Sequence, residues 1–213
     1  MQTTAMLIGI AGRKQSGKTT LGASLATAYG LEHISFAAPM RKFVAELLGG
    51  SVGELELAKE TPIAWLDGVT PRRMLQTLGT EWGRDLVHSE LWVRIALRKA
   101  AMAVGAVVSD VRFPNEAQAI RGLGGVVIRL NRSSATADDN HPSEKPLEDR
   151  LIDFEIENNG TPEAMLAKVG TCLTDHLRVY REAVARHLAD AAADRDVVAY
   201  SAPGCPESAM AGD

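Results

Sequence analysis

The chain has 213 residues, 46% of them apolar and 23% charged, enough for one domain with a full core plus an excursion or tail, and too apolar for wholesale disorder. A net charge of -4 argues against a protein that grips long nucleic acid by its phosphates. Cys172 and Cys205 cannot form a disulfide scaffold, and without a CxxC they make no zinc site, so they read as free thiols in a reducing compartment.

No apolar run reaches the 18 or so residues of a membrane span. Met1 to Met6 has no basic region or cleavage site and leads into a strand, so the expectation is a cytoplasmic protein. Met6-Leu7-Ile8-Gly9-Ile10-Ala11 is apolar enough for a central parallel strand covered on both faces. A glycine-rich turn follows, then a helix from Thr19 to Tyr29 that Gly30 stops. His33 to Ala37 reads as a second strand, and Pro39 opens a helix reaching Gly49-Gly50. Residues 51 to 69 carry little pattern and read as a surface excursion.

Thr70-Pro71 is a cap-and-start signal for a helix ended by Gly79. Ser89 caps the next, from Glu90 to about Ala103. Gly105 to Asp110 is a buried strand ending in an acid, Asn115 to Arg121 is helical, and Val126 to Leu130 is another strand. From Asn131 to about Arg150 the chain turns polar, as a lid or surface loop would. Phe154 to Asn158 alternates like an edge strand, and Thr161-Pro162 starts a long final helix. Residues 186–213 are net acidic and read as a frayed helix and a disordered tail, leaving residues 1–185 as the domain.

Gly12-Arg13-Lys14-Gln15-Ser16-Gly17-Lys18-Thr19 fits GxxxxGK[ST] at every fixed position, with a strand before it and a helix after it. Two glycines let successive N–H groups turn inward onto phosphate oxygens, and the helix adds its positive end. Lys18 then reaches the β- and γ-phosphates of ATP and the Thr19 hydroxyl ligates Mg²⁺. The expected cradle is Gly12, Lys14, Ser16, Gly17, Lys18, Thr19 and Thr20. Asp110, at a strand end some ninety residues on, is the candidate second group for Mg²⁺, the alternative being a cap for the following helix. Val111 follows it where motor ATPases keep a catalytic Glu, which argues against hydrolysis as the purpose. Arg41, Arg72, Arg73, Arg84, Arg112, Arg129 and Arg132 cluster at predicted strand ends and helix starts. Planar forks there suit a small phosphorylated substrate, and a solvated surface charge is the alternative for each.

Taken with the P-loop, three segments carry a resemblance: Ser35-Phe36-Ala37-Ala38-Pro39-Met40-Arg41, the GTxxGR stretch within Leu75 to Arg84, and Asp110-Val111-Arg112-Phe113-Pro114-Asn115-Glu116. With Trp92, His141-Pro142-Ser143-Glu144 and Asn158-Asn159-Gly160-Thr161, the chain resembles the phage-type deoxynucleoside monophosphate kinases over about residues 6 to 178. The resemblance implies a P-loop NTPase α/β three-layer sandwich, with a five-stranded parallel sheet, helices on both faces, a monophosphate-binding excursion and a lid at about residues 131–150. It implies ATP- and Mg²⁺-dependent phosphorylation of a dNMP in the cytoplasm, the host's if the gene is a phage's. By motif match Lys18, Asp110, Arg112 and Arg132 are the catalytic set, and Arg41, Arg84 and Arg73 grip the monophosphate. Trp82 or Trp92 packs near the base or is a core residue, and His141 is a lid hydrogen-bonding residue. The implied partner is the small-molecule dNMP, with no direct nucleic-acid binding, no membrane, and a homodimer allowed. Two alternatives stay open: another P-loop kinase acting on a phosphorylated metabolite, and a nucleotide-dependent switch or packaging ATPase.

Overall fold

A computed structural model of the chain describes residues 6–133 and 146–200, without side-chain detail at 187 and 190–200. Five strands form one parallel sheet in the order β2-β3-β1-β4-β5. β1 (Met6–Ala11) is central and wholly buried. Period-two alternation sends Leu7 and Ala11 to one face of the sheet, and Met6, Ile8 and Ile10 to the other. The first face packs on α2 (Ala38–Leu47), α5 (Leu91–Ala100) and α6 (Pro114–Gly122), through Met40, Val93, Ala96, Ala117 and Ile120. The second packs on α1 (Lys18–Tyr29), α7 (Pro162–Cys172) and α8 (Thr174–Tyr200), through Leu21, Leu25, Met165, Val169, Leu177 and Tyr180. Each fully buried Leu or Ile contributes about 1.5–3 kcal/mol, so the two clusters hold the sheet between helical layers. β3 (Gly105–Val111) and β4 (Val126–Asn131) flank β1, which gathers the loops after all three at one carboxyl edge. β5 (Phe154–Glu157) is the expected half-exposed edge strand.

Several elements depart from the sequence reading. β2 is only Glu32–Ile34, because residues 35–37 turn toward Asp110 instead of extending. The excursion contains α3 (Val52–Leu57), opened by a reciprocal capping box between Ser51 and Glu54, and a 3₁₀ turn at Ala64–Leu66. Thr70 caps α4 (Pro71–Thr77) as expected, its hydroxyl accepting from Arg73 N–H. Gly79 does not end that helix, which runs on as a π-helix over Leu78–Val87. Glu90, not Ser89, occupies the N-cap of α5. The final helix breaks at Leu173, and α8 continues to Tyr200, past the point where fraying was expected. The central part of the expected lid (134–145, with His141) and the last residues (201–213) lie outside the described residues. Among the described residues no helix is long and apolar enough to cross a membrane.

Candidate active site

The loop between β1 and α1 has the backbone the motif requires. Gly12, Gln15 and Gly17 adopt positive φ of 144°, 64° and 97°. A Cβ on Gly17 would sit 2.5 Å from Asn158 Nδ2, so the glycine serves both conformation and clearance. Asn158, buried just after β5, donates from that nitrogen to Ser16 O at 2.9 Å and anchors the loop to the far end of the sheet. Ser16 is fully buried, and among the described residues its Oγ has no hydrogen-bond partner. Lys18, 9% exposed, bends back to donate to Gly12 O at 2.7 Å and Arg13 O at 2.6 Å. Lys14, Thr19 and Thr20 are exposed on the loop's outer face and the first turn of α1.

Two cavities open at this edge. The larger, about 450 Å³, runs from Gly12 and Arg13 past the ends of β3 and β4 to Arg132, Ser133 and Leu147. The smaller, about 140 Å³, lies under the excursion and is lined by Arg41, Lys59, Arg72, Gln76, Thr80 and Arg84, with Asp110 and Glu116 below. Arg112 lines both. The structure brings Arg41, Arg84 and Arg112 into one cleft and places the exposed Arg132 beside the P-loop cavity.

Asp110 is a junction as well as a strand end. Its Oδ1 accepts from Phe36 N–H at 2.8 Å, and its Oδ2 from Ser35 Oγ at 2.6 Å and Ala37 N–H at 3.1 Å. It thus caps the approach to α2, the helix before it in sequence, rather than the one that follows. Arg41 Nη2 stands 4.0 Å away, and Arg41 Nε lies 3.0 Å from Glu56 Oε1, near enough for an ion pair though poorly aligned for a hydrogen bond. Arg84 donates from Nη2 to Glu116 Oε1 at 2.7 Å and stacks 4.2 Å over the Phe113 ring. Glu116 is 2% exposed, and its other oxygen accepts from Arg112 and Phe113 N–H at 2.7 and 3.1 Å. Burial pushes its pKa up to about 6, against those hydrogen bonds and the Arg84 charge.

Three of the expected residues fall elsewhere. Arg73 is exposed and absent from the cleft wall; Arg72, one helical position earlier, takes its place. Trp92 is a core residue whose indole N–H donates to Gly79 O at 2.8 Å, and it does not line the arginine cleft. Trp82 is half exposed, packs with its centroid 6.2 Å from the Trp92 ring, and also lies off the cleft wall. Sequence reasoning assigned no role to Glu116 or Lys59. Burial draws the Lys59 ammonium below the usual lysine range, with Glu56 opposing. The Arg72 guanidinium holds the Glu60 carboxyl below its usual range, helped by Lys14 of the P-loop and by Lys59. Arg129 also lines the larger cavity, where it donates to Asp149, Glu155 and Leu147 O.

The residues fit a phosphate chain and its magnesium ion. The loop turns amides inward around the buried Ser16 hydroxyl, unpartnered among the described residues, and Thr19 stands in the first turn of α1 beside it. Among the described residues no group of three or more His, Cys, Asp or Glu could hold a metal ion.

A P-loop facing an arginine-lined cleft on a parallel α/β sheet is the working arrangement of a small-molecule phosphotransferase. Comparison with known proteins narrows this further. The deoxynucleotide monophosphate kinase family model matches residues 54–169. A candidate deoxynucleotide monophosphate kinase of Acanthamoeba polyphaga mimivirus is 37% identical over 186 residues, covering 79% of this chain and 96% of that protein. The chain belongs to the deoxynucleotide monophosphate kinase family. The deoxynucleoside-5'-monophosphate kinase of Escherichia phage T5 is 34% identical over 99 residues, 42% of this chain and 40% of its own length. Among solved structures, shikimate kinase from Aquifex aeolicus aligns over 80% of this chain and 97% of its own, at 13% identity and a TM-score of 0.43.

Proposed function

We propose that this chain transfers the γ-phosphoryl group of ATP to the phosphate of a deoxynucleoside monophosphate, giving the diphosphate and ADP. The observation that carries the reading is the pair of cavities meeting at Arg112, one walled by the P-loop and the other by Arg41, Arg72 and Arg84. Family membership names the acceptor class. An acceptor phosphate oxygen attacks the γ-phosphorus, the bond to the β–γ bridging oxygen breaks, and ADP leaves with that electron pair. No general base is required, since a monophosphate with a second pKa of about 6 is already largely dianionic near pH 7.

What the protein supplies is position and charge. Loop amides and Lys18 hold the donor phosphates, Lys18 leaving its own loop carbonyls to do so. Arg41 and Arg84 orient the acceptor, and Arg112 sits between donor and acceptor. Arg132 approaches from the lid side. Thr19, with Asp110 through water, would hold Mg²⁺, which when bound draws charge from the β- and γ-phosphate oxygens. Closure over the cleft keeps water from taking the phosphoryl group.

The test is a coupled assay with ATP and Mg²⁺ against dAMP, dCMP, dGMP, dTMP, ribonucleotides and unrelated phosphorylated metabolites. Turnover confined to nucleoside monophosphates supports the proposal. Turnover of another phosphorylated metabolite alone, or ATP hydrolysis stimulated by DNA and indifferent to dNMP, refutes it.

A further inference from the structure

The helix over the acceptor cleft changes its winding partway. Pro71–Thr77 is α-helical and Leu78–Val87 is π-helical, ending on a bond from His88 N–H to Gly83 O at 3.0 Å. Its cleft-lining residues include Arg72, Gln76, Thr80 and Arg84, each four positions after the last. In an α-helix of about 100° per residue, a step of four overshoots a full turn by about 40°. Arg84 would then stand about 120° around from Arg72 and off the cleft. Bonds from i to i+5 widen the turn to about 82° per residue, so a step of four falls short by about 30°. Joining the two windings cancels much of the drift, and one wall carries all four side chains. The wide turns are seated on Trp92: it binds Gly79 O, and a Cβ on Gly83 would lie 2.6 Å from its ring.

The two ends of this row are guanidinium groups, Arg72 with Glu60 and Arg84 with Glu116. Its middle is neutral. Gln76 and Thr80 are half-buried, and among the described residues neither side chain has a hydrogen-bond partner. With cations beside them to take the phosphate, an amide and a hydroxyl suit the uncharged part of a nucleotide. The amide offers donor and acceptor together, as a base edge does.

We propose that Gln76 and Thr80 determine which deoxynucleoside monophosphate the site accepts, Gln76 by hydrogen bonds to the base and Thr80 through its hydroxyl to the nucleoside. This rests on the acceptor cleft described under Proposed function. The test measures kcat/KM for dAMP, dCMP, dGMP and dTMP, KM for ATP, and Tm, in the wild type and in Gln76→Leu and Thr80→Val. Thr77→Ala, on the exposed side of the same helix, is the control. A site that hydrogen-bonds its ligand discriminates strongly, so the ratio between the best and worst acceptors should change about tenfold or more in Gln76→Leu and less in Thr80→Val. ATP KM and Tm should stay near wild type, and Thr77→Ala should alter neither. Variants that retain the wild-type order and spread of acceptors, or lower all four equally, overturn the proposal alone. A wild type inactive toward all four overturns the functional reading and this proposal with it.

Discussion

Replacing Glu116 by glutamine separates the charge of this buried carboxyl from its shape. The carboxylate accepts from three donors: Arg112 N–H, Phe113 N–H and Arg84 Nη2. An amide offers one oxygen and turns an NH₂ toward a donor. Losing a hydrogen bond to a charged group costs about 1.5–3 kcal/mol, and stranding a buried donor adds about 1–3. The amide also escapes the burial cost of the anion. The pKa stays raised, from 4.5 to about 6, even after those hydrogen bonds and Arg84 have acted, a net cost of about 2 kcal/mol for the anion at neutral pH. The balance is a loss of about 2 kcal/mol, or about 4–8 °C in Tm for a chain of this size. Arg84 loses its anchor, so kcat/KM for dNMP should fall about ten- to a hundredfold, while KM for ATP holds.

The pH signs are opposite for stability and activity. Because the folded pKa is raised, the stabilising contribution of Glu116 is fully present below about pH 4.5 and is lost as pH rises through about 6. Activity needs the anion that holds Arg84, so it falls as pH drops through about 6. The acceptor phosphate titrates there too. Wild-type log kcat/KM for dNMP should therefore approach a slope of about two on the acid side, and Glu116→Gln a slope of about one. Identical profiles in both, or dNMP kinetics within about twofold of wild type, would refute the idea that Glu116 works through Arg84.

Lys18→Ala should fold, by its circular dichroism spectrum, yet lose about two or more orders of magnitude in turnover; near-normal dNMP kinase rates would remove the P-loop from the mechanism. Arg84→Lys keeps the charge but loses the fork and the stacking on Phe113, so steady-state kinetics should show a large loss in kcat/KM for dNMP with ATP little affected. Equal damage to both substrates would indicate a structural role. A chain ending at Ala189 keeps the buried Leu177 and Tyr180 of α8 and should retain its activity and its melting curve; a large drop in either would mean that the removed segment docks.

What could be read in the sequence was whatever local backbone chemistry dictates. The P-loop was legible because positive φ at Gly12 and Gly17 demands glycine at fixed spacing, and the start of α4 because Thr70-Pro71 is a local cap. Asp110 was legible as a strand end, but its partners lie 73–75 residues earlier and no local pattern announces them. Gly79 misled because a glycine after a helical run ordinarily stops it. Here it passes under Trp92, a long-range contact that also moves that tryptophan from candidate base platform to core. Choosing Arg72 over Arg73 needed the phase of α4 against the cleft, which only tertiary packing sets. Ser51-x-x-Glu54 did carry a readable capping box, in a helix too short to show an apolar stripe.

The bond from Asn158 to Ser16 spans 142 residues and ties the P-loop to the end of β5. During synthesis the P-loop emerges well before β5, and the side chain that braces it arrives only after β5 has been made. Contacts of such sequence separation form late, after the loop-closure entropy has been met. A nascent or prematurely terminated chain that ends before β5 would carry the whole GxxxxGK[ST] motif without its brace.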